Sequence, residues 1–72
     1  MNINVVKETV KEFYSNPEYK CIIFLIDDNI IISKDFVDEI VVYYDTLKVT
    51  TEGLIIYYDI SNIKIIKLST RE

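Results

Sequence analysis

The stretch from Ile40 to Leu68, IVVYYDTLKVTTEGLIIYYDISNIKIIKL, decides the fold. It contains two near-copies of one segment, Ile40-Val41-Val42-Tyr43-Tyr44-Asp45 and Leu54-Ile55-Ile56-Tyr57-Tyr58-Asp59. Leu47–Thr51 lies between them and Ile63–Leu68 follows, both rich in β-branched residues. Such residues fit the pleated surface of a sheet, and the short polar breaks between them read as turns of an antiparallel meander. Glu52-Gly53 is the strongest turn signal, because it holds the only glycine between two apolar runs. Asp45-Thr46 marks the preceding reversal and Ile60-Ser61-Asn62 the following break.

Upstream, residues 3–15 predict an amphipathic helix. Ile3, Val6, Val10, Phe13 and Tyr14 recur at three- and four-residue steps, with Lys7, Glu8, Lys11 and Glu12 on the other side. Asn2 is suited to cap its start. Pro17 holds Asn16 out of helical geometry and ends it. Tyr19–Ile26 predicts the first strand, apolar on both faces as in a strand covered on both sides. Asp27-Asp28-Asn29 turns the chain into Ile30-Ile31-Ile32. Ser33–Glu39 is read as a bent strand running on into Ile40–Tyr44, with a single capped helical turn as the other reading. The expected fold is α+β, one N-terminal helix followed by a five-stranded antiparallel meander over about residues 19–68.

A chain of 72 residues makes one small domain, near the lower limit for a self-sufficient core. Half of it is apolar, which excludes a disordered chain and leaves more apolar surface than a small core can bury. A homo-oligomer is the simplest use of that surplus, and a protein partner is expected. The net charge of −4 repels bare nucleic acid and favours solubility. Cys21 is the only cysteine, so no intrachain disulfide can form, and a reducing, cytoplasmic setting is expected. Within Cys21-Ile22-Ile23-Phe24-Leu25-Ile26 it reads as a small buried hydrophobe. The N-terminus lacks the basic-then-apolar pattern of a secretory leader. No apolar run exceeds six residues, against the ~20 that a spanning helix needs, so no membrane association is expected.

Helix, meander and a tight break before the last strand resemble the Sm/Hfq-like small β-barrel, over nearly the whole chain and by order of elements. The resemblance implies ring assembly through strand edges and binding of single-stranded RNA or a nucleotide. In the Hfq type, a Tyr-Lys-His sequence stands near the end of the fourth strand. Tyr57-Tyr58-Asp59 occupies that place here, and the chain has no histidine. The glycine usual in the bent second strand is replaced by Ser33-Lys34-Asp35. The fold and the ring carry over from the resemblance, and the RNA site does not.

With no histidine and one cysteine, the chain holds neither a Ser-His-Asp triad nor an ordinary zinc site. Asp27-Asp28 reads as a turn former rather than a magnesium site, and no Gly-rich phosphate loop exists. No enzyme activity, metal or cofactor is expected. The candidate binding residues are Tyr43, Tyr44, Tyr57 and Tyr58, as aromatic anchors or base-stacking surfaces, and Asp38 and Glu39, as an acidic patch. The usage rich in Ile, Asn, Lys and Tyr points to an AT-rich genome. By association it suggests a small acidic inhibitor or adaptor of the phage or mobile-element kind, acting on host nucleic-acid machinery. Nucleic acid itself is a partner only under the ring reading.

Overall fold

The computed structural model describes residues 1–72. Helix α1 spans Ile3–Ser15 and is followed by six strands: β1 (Cys21–Leu25), β2 (Asn29–Ser33), β3 (Val37–Tyr43), β4 (Thr46–Thr51), β5 (Leu54–Asp59) and β6 (Ile65–Ser69). A 3-10 turn at Ile60–Asn62 separates β5 from β6. The strands form two antiparallel three-stranded sheets, ordered β2-β1-β6 and β3-β4-β5. The expected α+β class holds, but six strands in two sheets take the place of one five-stranded meander, and the strands do not close into a barrel. The difference lies in Lys34–Phe36. The anticipated bend is a hydrogen-bonded turn, with the Phe36 N–H donating to the Ser33 carbonyl at 3.2 Å. It splits the predicted long strand and hands its two halves to different sheets.

The helix starts and stops for the reasons its flanks supply. The Asn2 side-chain carbonyl accepts from the Asn4 N–H at 2.8 Å, satisfying one of the free donors of the first turn. Asn16, before Pro17, has extended backbone and closes the last turn onto Glu12. Val6, Val10 and Phe13 are buried, whereas Tyr14 lies at the margin, edge-on to Phe13 at 5.3 Å. The helix packs on β1, β3 and β6, and so bridges both sheets. Lys34 closes one side: its ammonium donates to the Asn16 carbonyl at 2.9 Å and stands 4.6 Å from the Phe13 ring centre.

Inside, the sheets meet through alternate residues. In the first sheet, Ile22 lies between Ile32 and Leu68, and Phe24 between Ile30 and Ile66. In the second, Leu47 lies between Val42 and Tyr58, and Val49 between Ile40 and Ile56. Ile60 and Ile63 add the 3-10 turn to the same cluster, which also takes in the helix face. Cys21 is buried, as its apolar run implied. The outer face of the first sheet departs from expectation. Ile23 and Leu25 are half-buried and Ile31 and Ile65 are exposed, so β1 is covered fully on one face only. No helix is long and apolar enough to cross a membrane.

Phe24→Ala removes a fully buried ring at the centre of the first sheet, and the expected cost is about 3–5 kcal/mol. Ile31→Ala, at an exposed position on the neighbouring strand, is expected to change stability by less than about 0.5 kcal/mol. Urea unfolding followed by circular dichroism measures both.

Candidate functional site

The six residues singled out from the sequence do not gather at one place. The near-repeats containing the tyrosine pairs fall on β3 and β5, with β4 between them, so they are not neighbouring strands. Register places Tyr57 opposite Lys48 and Tyr58 opposite Leu47. Tyr58 faces inward and packs against the core, while Tyr57 is exposed on the outer face. The second pair thus points to opposite faces, as successive residues of a strand do. In the first pair Tyr43 ends β3 on the outer face, and Tyr44 lies beyond the strand, in the turn. The reversal is therefore Tyr44-Asp45, one residue earlier than composition indicated, and Thr46 belongs to β4. Outward Tyr43 and Tyr57 sit on strands roughly 10 Å apart, two strand spacings, and do not form one patch.

Asp38 and Glu39 lie near the other end of β3, both exposed, where the register with β4 shifts between Val37 and Glu39. Glu39 is about 13 Å and Asp38 about 17 Å from Tyr43 along the strand, at ~3.3 Å per residue. Glu39 influences Tyr14 instead. Partial burial pushes the Tyr14 phenol above its ordinary range, a hydrogen bond with the Ile40 backbone opposes this, and the Glu39 charge adds to it.

What the fold does assemble is an aromatic and acidic end of the second sheet. Tyr44 is 84% exposed, and its backbone lies in the left-handed region at φ 52°. A bulky side chain rarely takes that conformation, and holding it there costs on the order of 1–3 kcal/mol. Its ring meets Tyr43 edge-to-face, with centroids 5.9 Å apart at 71°. Thr46 pairs with Tyr43 on one side and Asp59 on the other, which puts Asp59 in the same outer row. The Asp45 carbonyl accepts from the Ile60 N–H at 2.8 Å, tying the Tyr44-Asp45 turn to the 3-10 turn. One oxygen of Asp59, Oδ1, accepts from both the Ser61 hydroxyl (2.8 Å) and the Ser61 N–H (2.9 Å). The hydroxyl bond first, then the N–H bond, hold its carboxyl below the usual range and keep it ionised. Oδ2 makes no hydrogen bond in this arrangement. The result is two phenol rings and Asp45 at one end of β3, with Asp59 in the same row two strands away, without an enclosing cleft.

Alternation along a strand would send one ring of each pair inward, yet Tyr43 and Tyr44 are both exposed, and Asp45 and Asp59 were not reached as their companions. The signal was present in the repeat, since both copies end in Tyr-Tyr-Asp. Their convergence follows from β4 pairing with both strands, which spacing does not reveal. Comparison with protein-family models, with curated proteins and with solved structures returned no match.

Two substitutions separate backbone strain from surface chemistry. Tyr44→Asn puts a residue that tolerates positive φ into the turn, and stability is expected to rise by about 1 kcal/mol. Glu52→Asn does the same in the other tight turn, where Glu52 has φ 47° and Gly53 φ 81°. Both are read by thermal unfolding. For Asp59, the folded carboxyl titrates below the unfolded value of 3.8, so its stabilising contribution is present above that value and is lost as pH falls below it. Unfolding midpoints measured from neutral to acid pH are expected to fall more steeply for the native protein than for Asp59→Asn.

Proposed function

We propose that this protein is a non-catalytic interaction module whose working surface is the Tyr43-Tyr44-Asp45 turn with Asp59, and whose partner is a basic protein surface. The observation that supports it above others is Tyr44: an aromatic ring held out in water by an unfavourable backbone conformation, next to Asp45 and at the same end of the sheet as Asp59. Strain of this kind is retained where a side chain is needed for contact. Tyrosine is the residue type that most readily anchors an interface, because a large rigid ring loses little entropy on docking. Rings flanked by carboxylates suit lysine and arginine, which take a ring face and a carboxylate together. The net charge of −4 steers the whole chain toward such a surface. Basic clefts shaped to hold phosphate have this chemistry, which agrees with an inhibitor or adaptor of nucleic-acid machinery.

A second reading follows from strand order. β1 lies between β2 and β6, a sharp turn divides β2 from β3, and a one-turn 3-10 segment joins β5 to β6. This order supports the small-barrel resemblance, and with it a ring that binds single-stranded RNA. The acidic end described above speaks against phosphate at that place.

Titration with an arginine-rich peptide and with a single-stranded oligonucleotide, at low and moderate salt, tests the two against each other. Tyrosine fluorescence and calorimetry give the readout. The expected result is peptide binding that weakens at least tenfold in Tyr44→Ala and in the Asp45→Lys, Asp59→Lys double variant, and stays unchanged in Glu52→Asn. Oligonucleotide binding without peptide binding, at low salt, would replace the first reading with the second.

A further inference from the structure

We infer that β5 is a self-complementary docking edge and that its occupant is a second copy of this chain, related by a two-fold axis through Ile56. An open sheet edge presents unpaired N–H and C=O groups, and proteins blunt such edges with charge, bulges or short length. The free edges here differ in this respect. β3 carries Asp38, Glu39 and a register shift. β6 is five residues long and holds Lys67 in its middle. β2 is also five residues long and exposes one large apolar side chain, Ile31. β5 has only one of these guards, Asp59 at its last position. Leu54-Ile55-Ile56-Tyr57-Tyr58 is uncharged and unbroken, with Leu54 63%, Ile55 54% and Tyr57 58% exposed.

Register selects the symmetry. In a two-fold antiparallel pair each residue opposes one of equal parity, so outer residues meet outer residues and inner meet inner. With Ile56 opposite itself, Ile55 faces Tyr57 of the second copy and Leu54 faces Tyr58. Gly53 then faces Asp59, and no like charges meet. Moving the axis to Tyr57 sets Asp59 against Ile55, and moving it to Ile55 sets Glu52 against Tyr58, so each sets a carboxylate against an apolar or aromatic residue of β5; with Ile56 on the axis the one such pair, Glu52 with Ile60, lies wholly outside the strand. Pairing β5 head-to-tail with β6 instead would lay Lys67 among these apolar side chains. Aromatic and β-branched residues opposed across strands are the favourable combination that the chosen register provides twice. This dimer leaves Tyr43, Tyr44 and Asp45 free beyond the far strand of each copy and shares only Asp59, at the end of β5, with the proposed partner surface.

Native mass spectrometry and sedimentation over a concentration series test the assignment. A dimer is expected for the native chain and for Ile31→Lys, and a folded monomer for Ile55→Lys, whose side chain is exposed and whose circular dichroism should be unchanged. In a Cys21→Ala background, the Ile55→Cys, Tyr57→Cys double variant is expected to become a covalent dimer on mild oxidation. A monomer at all concentrations overturns the inference. So does a dimer that Ile31→Lys disperses and Ile55→Lys does not. A closed ring of several copies overturns it as well, and supports head-to-tail edge pairing.

Discussion

The structure depends on the burial of Ile22 and Phe24 along β1, the one strand of the first sheet with a neighbour on each side. Each of these residues has an apolar side chain beside it from β2 and another from β6, and the second sheet and helix α1 complete the enclosure. A chain of this size buries only about 60% of the surface its unfolded form exposes, so little redundancy remains elsewhere. Leu47 and Val49 play the matching part on β4, the central strand of the second sheet. The helix then holds the two sheets together by touching strands of both, because Val6, Val10 and Phe13 lie on one face. The order of dependence runs from central strands to helix to edges.

Much of this was legible in the residues. Asn2, the apolar spacing through Phe13, Pro17 and Glu52-Gly53 each act locally, through a cap, a face, a forbidden backbone region and a turn conformation. Their outcomes agree with expectation for that reason. The places that differed are governed by partners distant in the chain. Ser33–Val37 could bend or turn with similar local cost, and the choice is made by the separate sheets that take β2 and β3. Strand β1 looked doubly covered because Ile23 and Leu25 are apolar, yet only two layers and one helix exist to cover it. The two tyrosine pairs look equivalent in sequence. They are not, because β3 ends at Tyr43 and the turn claims Tyr44, whereas β5 runs through Tyr58 to Asp59.

Function in such a small fold is distributed over its surfaces. The inner faces are committed to stability, leaving the outer faces, the edges and the turns. Turns at the end of the second sheet concentrate aromatic rings and carboxylates, with Asp59 fixed by Ser61 so that one oxygen stays available. The outer row through β5 concentrates apolar side chains instead. Asp38 and Glu39, expected as a binding patch, sit at the bulge on β3, where their charge has the separate effect of discouraging strand addition at that edge.

The pairing of β1 with β6 joins Cys21 to Ser69, spanning most of the chain. The hairpins of the second sheet are local and close quickly, but the first sheet waits for β6, which is made after the other five strands. Until Ile65–Ser69 is released, β1 has one open side, with Ile22 and Phe24 short of their final neighbours. Newly made copies therefore pass through a stage in which the most apolar strand is accessible to chaperones and proteases. A longer stage of this kind lowers the yield of folded protein even where the finished fold is equally stable.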